Sequence, residues 1–259
     1  MRKITHPCIA TDGTVYRAPV DMKKLLNYNI LNLLSKTGRD GWLDMPVLHC
    51  NTAIYPDYLA LYNQPGYYHK GERTCICFYM YDSEFDGEGG LFWAIYFNDA
   101  ERLAYFKERF RKVRFFIGPD YSVFGDIHRM ENYYRIWRAR IICLWFSIEL
   151  GAIVIPNVSY AKESDFPIYF SGLTECKVVA FSIKGHVRYP KERKLLVSAI
   201  KYAVDHLPLK TIVVYSVCGK DETCLKLFRY AQEHGIQIII PNNSLREANE
   251  RRVANGLWQ

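Results

Sequence analysis

Runs of β-branched and aromatic residues recur along this chain, and stretches of helical periodicity separate most of them. The runs are Cys75 to Met80, Val113 to Ile117, Ala152 to Ile155, Val178 to Ile183, Thr211 to Ser216 and Ile236 to Ile240. A strand that is apolar on both faces must be covered on both, and in α/β proteins helices do the covering. The covering helices are expected over Asp99 to Phe110, Met130 to Leu150, Lys191 to Leu207 and Asp221 to His234. The third carries Leu196, Ile200, Ala203, Val204 and Leu207 at helical spacing, and the fourth places Cys224, Leu227, Phe228 and Ala231 on one face. Gly151 follows the second helix, where a left-handed cap is expected. Phe166 to Phe170 reads as a short edge piece of sheet. About six strand–helix units result, hence an α/β fold with a parallel sheet and right-handed crossovers. The sheet is expected to be either open and doubly wound or an incomplete TIM-like barrel.

With 259 residues the chain is long enough for one full core, or a core with a small satellite. Residues 1–70 read as an irregular apron packed on the main domain, with one helix over Asp21 to Ser35 among turn-rich pieces such as Gln64-Pro65-Gly66. Residues 71–245 form the α/β domain, and 246–259 a basic tail. Eight cysteines show no Cys-x-x-Cys spacing, which points to reduced thiols rather than a zinc or redox motif. The polar start carries no signal-peptide pattern, and the apolar helix around Ile141 to Leu150 is too short to span a bilayer. A cytoplasmic protein without membrane contact is expected.

In open parallel sheets, ligands bind beyond the carboxyl ends of the strands. Gly118-Pro119-Asp120-Tyr121-Ser122 stands at such an end, ahead of a long helix. Asp82, Asp120 and Asp126 are the candidate acid–base residues. Asp82 and Asp120 are also a candidate pair for magnesium or manganese, since hard cations favour carboxylate oxygens. Other strand ends add candidate ligand-binding groups: Ser122, His128, Asn157, Ser182, Lys184 and Ser216. The structural alternative is that Asp120 and Asp126 cap the turn and the following helix, with Asp82 to Glu88 a solvated loop. Phosphate-loop, dinucleotide-binding and nucleophile-elbow motifs are absent from the sequence.

An ordered succession of short motifs runs from Phe116 to Ile240. It comprises Gly118 to Ser122 with Asp126, then Tyr133, Tyr134, Arg138 and Arg140. Gly151, Ile155 to Val158, Phe170 to Leu173, Phe181 to Gly185 and Ile212 to Tyr215 follow. The block resembles a phage- and plasmid-associated family, domain of unknown function family 4417. It departs from that family at Ser159-Tyr160, where a bulky pair such as Arg-Trp is usual, and at Ser216, where glycine is commoner. The resemblance implies a mobile-element setting and work on or near nucleic acid, and it assigns no reaction.

A formal charge of +7 and 20 tyrosines fit that setting, because phosphate contacts and base stacking use these residue types. Arg135, Arg138 and Arg140 are the candidate nucleic-acid contacts. One alternative is a metal-dependent or acid–base enzyme on a small phosphorylated or sugar-like ligand, built on the acidic strand ends. The other is a protein-interaction module for counter-defence or assembly, with the apron as its contact surface and a protein as partner.

Overall fold

The computed structural model describes residues 28–255 and a two-stranded ladder pairing Cys8–Ile9 with Val15–Tyr16. Its frame is a run of parallel strands: β1 (Tyr58–Leu61), β2 (Thr74–Cys77), β3 (Phe115–Ile117), β4 (Ile153–Ile155), β5 (Val178–Ser182), β6 (Thr211–Tyr215), β7 (Gln237–Ile239) and β8 (Asn242–Asn243). They form a five-stranded parallel sheet of order β8-β1-β2-β3-β4 and a three-stranded parallel sheet of order β5-β6-β7. One bridge, Asn157 to Ala180, links the β4 side to β5. At the other edge the chain passes from β7 through Ile240-Pro241 into β8. Proline has no amide hydrogen for a ladder, so the strand breaks there. The strands are continuous in direction but do not close into a barrel.

Every residue of β2, β3, β5 and β6 is buried, as strands covered on both faces require. Helix α1 (Tyr28–Leu34) belongs to the segment expected to be helical from Asp21, whose first residues lie outside the described ones. Chain order then gives α2 (Asp82–Phe85), α3 (Leu91–Phe97), α4 (Ala100–Arg109), α5 (Arg129–Glu149), α6 (Phe166–Tyr169), α7 (Pro190–His206), α8 (Asp221–Leu225), α9 (Arg229–Glu233) and α10 (Ser244–Ala254). The central element is α5. Its segment Ile141 to Phe146 is buried on all sides, so the helix lies inside the molecule rather than on it. Phe146 stacks on Phe116 of β3 with ring centroids 4.1 Å apart. Gly151, at φ +60°, ends the helix in the left-handed conformation expected of it.

Several segments differ from their sequence reading. Residues 58–61, placed in the irregular apron, form β1 in the interior of the larger sheet. Phe166 to Phe170 is not an edge strand but the turn of helix α6. Pro167 suits a helix start, and Phe166, Tyr169 and Phe170 are buried at helical spacing. Asp82 to Glu88 is not a solvated loop. Asp82 opens the short helix α2, and Asp86 is buried just after it. The helix expected over Asp221 to His234 is divided by a 3-10 turn at Lys226–Phe228, which keeps Cys224, Phe228 and Ala231 on the buried face. The basic tail folds as α10 over most of its length, capped by the Asn243 side chain, which accepts from the Arg246 amide. Asn243 and Asn249 donate to the carbonyls of Ser216 and Val217, so this part of the chain covers the end of β6.

Candidate functional site

Four neighbouring carboxyl ends shape one cleft of about 510 Å³: those of β2, β3, β4 and β5. The chain leaves β3 through Gly118, where there is no room for a side chain. A Cβ there would lie 2.6 Å from Cys143 Sγ on α5 and 3.3 Å from the Asn157 amide nitrogen. Gly118→Ala is therefore expected to destabilise the fold by about 1–3 kcal/mol, the range for overpacking. Cys143→Ala in the same chain is expected to restore part of the loss. Denaturant unfolding of the two single variants and the double variant checks this, and purely additive losses would contradict the contact.

Two residues on, Asp120 reaches the cleft wall. Its Oδ1 accepts from Asn157 Nδ2 at 2.7 Å and from Ser159 Oγ at 2.9 Å. Asn157 is buried behind it and is oriented by the Tyr79 hydroxyl, which donates to Asn157 Oδ1 at 3.0 Å. Both bonds to Asp120 fall on one oxygen, so Oδ2 is the oxygen left for a ligand. Burial raises the Asp120 carboxyl from 3.8 to about 6; the Ser159 and Asn157 bonds oppose the rise, the Asp82 charge adds to it and Lys184 lowers it. A carboxyl that titrates near 6 can give or take a proton near neutral pH.

The loop carrying Asp120 is clamped from one side. Asp82 Oδ1 accepts from the Ser122 amide at 3.0 Å and from its hydroxyl at 3.1 Å, and Arg135 Nη1 lies 3.5 Å from Asp82 Oδ2. Arg135 also donates to the Ser122 carbonyl. Tyr121 donates to Asp86 Oδ2 at 2.6 Å, and the same oxygen accepts from Arg138 at 2.8 Å. Asp82 thereby holds the loop that carries Asp120. Asp82 and Asp120, the pair expected to share magnesium or manganese, are each engaged by neighbouring groups. Ser122 and Arg135 engage Asp82, two donors occupy Asp120 Oδ1, and no group of three or more His, Cys, Asp or Glu among the described residues is arranged to hold a metal.

The remaining candidates fall into two sets. Ser122, Ser182 and Lys184 line the cleft with Asp120. The Ser182 hydroxyl accepts from the Lys184 amide, and Lys184 Nζ donates to the Tyr79 carbonyl at 2.8 Å. Outside it, Ser216 is fully buried under the residues that open α10 and accepts from the Cys218 amide. Asp126 is exposed and lines an adjoining hollow. His128 caps α5, its Nδ1 accepting from the Met130 amide, a role the sequence suggested for Asp120 or Asp126. Arg140 is buried and donates to the Tyr169 carbonyl, and Arg138 is held by Asp86, so neither is a surface contact for nucleic acid. Tyr79, which the sequence reading did not single out, and Tyr160, noted there only as a departure from the family pattern, also line the cleft. Their signal was position alone, since each lies within a few residues of a strand end.

Seven described cysteines are free thiols, and among the described residues no helix is long and apolar enough to cross a membrane. The fold and cleft together define an α/β protein with an acid-bearing cleft at the carboxyl ends of parallel strands. The chain belongs to the family described as Domain of unknown function (DUF4417), whose model matches residues 38–227. That span takes in β1 through α8, and with them every wall of the cleft. No curated protein and no solved structure matches the chain.

Proposed function

We propose that the cleft is an acid–base site for a small polar ligand of phosphorylated or sugar-like type, with Asp120 as the proton-transfer group. The observation that supports it is the Asp120 carboxyl, raised to about 6 and carrying an oxygen free of protein donors on the wall of a ligand-sized cleft. Ser122, Ser182 and Lys184 would contact the ligand, while Asn157, Ser159 and Asp82 fix the acid in place. The test needs no known substrate. Carboxyl carbon NMR of the full chain is expected to show Asp120 titrating near 6, and a midpoint at the ordinary 3.8 would sink the reading. Once a ligand is found from a panel of sugars and phosphate esters, Asp120→Asn is expected to lower turnover by roughly 100-fold or more.

A mobile-element protein that works on nucleic acid is the second reading. It loses Arg138 and Arg140, but the exposed Lys162, Lys191 and Lys194 beside the cleft favour it, as does the net charge of +7. Binding to single- and double-stranded DNA and RNA over a salt series decides it. Absence of binding at low salt would remove nucleic acid as a partner.

A further inference from the structure

The cleft that holds Asp120 is walled largely by rings: Tyr79, Tyr81, Tyr121, Phe124 and Tyr160 all line it. Tyr79 donates its hydroxyl to Asn157 and Tyr121 donates to Asp86, so these two rings are fixed at their tips. Phe124 is fixed through its backbone instead. Its amide donates to Asn132 Oδ1 at 3.1 Å, and its carbonyl accepts from Asn132 Nδ2 at 2.7 Å. Asn132, near the start of α5, is itself buried. The Arg135 guanidinium lies over the Phe124 ring, 5.7 Å from its centroid. Even so, the Phe124 ring is 47% exposed, and Tyr81 is 80% exposed. Single exposed rings are ordinary at a protein surface. Here two of them border one acid-bearing cleft, and one is clamped through both backbone groups, so the cleft offers a flat apolar surface that the fold holds in place.

Much of the polar wall is already engaged. Ser122 donates to Asp82, Ser159 donates to Asp120, and Glu84 accepts from Asn63 and from the Tyr81 amide. The Tyr160 hydroxyl is enclosed in the protein and does not reach the cleft. Asp120 Oδ2 is different. It accepts from no described group and is not one of the enclosed partnerless atoms, so it is open to the cleft. Two donors accompany this acceptor. The Ser182 hydroxyl accepts from the Lys184 amide, but its own proton has no acceptor among the described residues. Lys184 Nζ gives one proton to the Tyr79 carbonyl and keeps the others. Open ring surface beside a few free polar groups suits a flat heterocycle. A nucleobase stacks through its π-face and carries its polar atoms along an edge, where an amino group donates to a carboxylate oxygen. A pyranose can lie on the same ring, but it carries hydroxyls around its whole edge and would leave most of them unpaired here.

We infer that the cleft binds a nucleobase with an exocyclic amino group, such as cytosine or adenine. The base lies on Phe124, donates its amino group to Asp120 Oδ2 and accepts from the Ser182 hydroxyl through a ring nitrogen. Lys184 is left for the ribose or its phosphate, and Tyr81 gives a second ring surface beside them. A cleft of about 510 Å³ is of the size that small-ligand sites have. This assignment rests on the reading of the cleft as an acid–base site and names the class of ligand it takes, since a nucleotide is both sugar-bearing and phosphorylated.

The test is a titration of the full chain with cytidine and with adenosine at neutral pH, followed by amide NMR. Saturable shifts of the Ser122 and Phe124 amides are expected with both. Uridine, which has a carbonyl where cytidine has the amine, should bind more weakly. Phe124→Ala keeps both backbone bonds to Asn132, so its unfolding temperature should match that of the parent. Its cytidine affinity is expected to fall by about 10-fold, within the range for losing one base–aromatic stack, while Phe124→Tyr should keep it. Cytidine monophosphate and a short single-stranded oligocytidylate distinguish the two sources of such a base. Tighter binding of the oligonucleotide means an unstacked base of a strand, equal binding a free nucleotide, and either supports the assignment. No saturable shift with either nucleoside, binding of uridine or ribose 5-phosphate as tight as that of cytidine, or an unchanged affinity in Phe124→Ala would overturn it. Nucleoside binding with Asp120 titrating at 3.8 would defeat the acid–base reading alone, whereas Asp120 titrating near 6 without nucleoside binding would defeat only the nucleobase assignment.

Discussion

Replacing Arg138 with methionine is expected to lower the folding free energy by about 3–5 kcal/mol, the range for breaking a buried ion pair by removing one partner. Arg138 Nη1 lies 2.8 Å from Asp86 Oδ2, with only 12% and 1% of the two side chains exposed. Its guanidinium also lies over the rings of Tyr121 and Tyr134, 4.5 and 5.0 Å from their centroids. Without it, Asp86 keeps its bonds from the Tyr121 hydroxyl and the Phe92 amide but loses its balancing charge. Burial already raises the Asp86 carboxyl despite Tyr121 and Arg138, which pull it down. The destabilisation should therefore shrink as the pH falls and Asp86 takes up a proton. Asp86→Asn in the same chain is expected to recover part of the loss, because it removes the stranded charge. Denaturant midpoints for the single and double variants check this. A single-variant loss below about 1 kcal/mol would place the pair among ordinary surface salt bridges.

Arg138 also marks where sequence reading stopped. Helical arginines close in sequence look like a basic face, and nothing in the sequence alone distinguishes a solvated guanidinium from one buried against a carboxylate 52 residues away. The hint lay in the neighbours: Tyr133, Ile136, Ala139 and Ile141 are buried around it, so the helix had little solvated face to offer. Strands of continuous β-branched residues were legible because burial on both faces leaves no other pattern. Tyr58–Leu61 was not, since Tyr-Leu-Ala-Leu has no β-branched residue and only its pairing with β2 and β8 makes it a strand. Helix α3, Leu-Phe-Trp-Ala-Ile-Tyr-Phe, is apolar all round and shows no period. Helix α10 buries no residue and is held by polar contacts such as the Arg246–Asp221 pair at 2.7 Å, so it lacked the apolar stripe that announces a helix. Asp120 was legible by position. Its neighbours Asn157, Ser159 and Lys184 were all readable as strand-end residues, but their convergence on one carboxyl depends on adjacent strands that no local pattern encodes.

Asp120→Asn is expected to make the protein more stable at pH 8 and to leave it unchanged at pH 3.5. In the folded chain the carboxyl titrates near 6 rather than 3.8, because burial disfavours its charge. Between those values the folded protein binds the proton more tightly than the unfolded chain does. Stability therefore falls as pH rises from about 4 to about 6 and stays level above. The full difference corresponds to at most about 3 kcal/mol, or several degrees in unfolding temperature for a chain of this size. Asparagine is neutral at every pH and similar in shape, and its oxygen can accept from Asn157 and Ser159 as Oδ1 does. Comparing variant with parent at each pH cancels the titration of Asp86 and of every other group the two share. Thermal unfolding from pH 3.5 to 8 should thus show a gap that opens through pH 4–6 in favour of the variant. A gap of constant size, or a less stable variant at pH 8, would mean that the Asp120 charge is not held at a cost. A charge held against its own solvation while the fold loses stability for it is what a proton-transfer group requires, and a helix or turn cap would show the opposite sign.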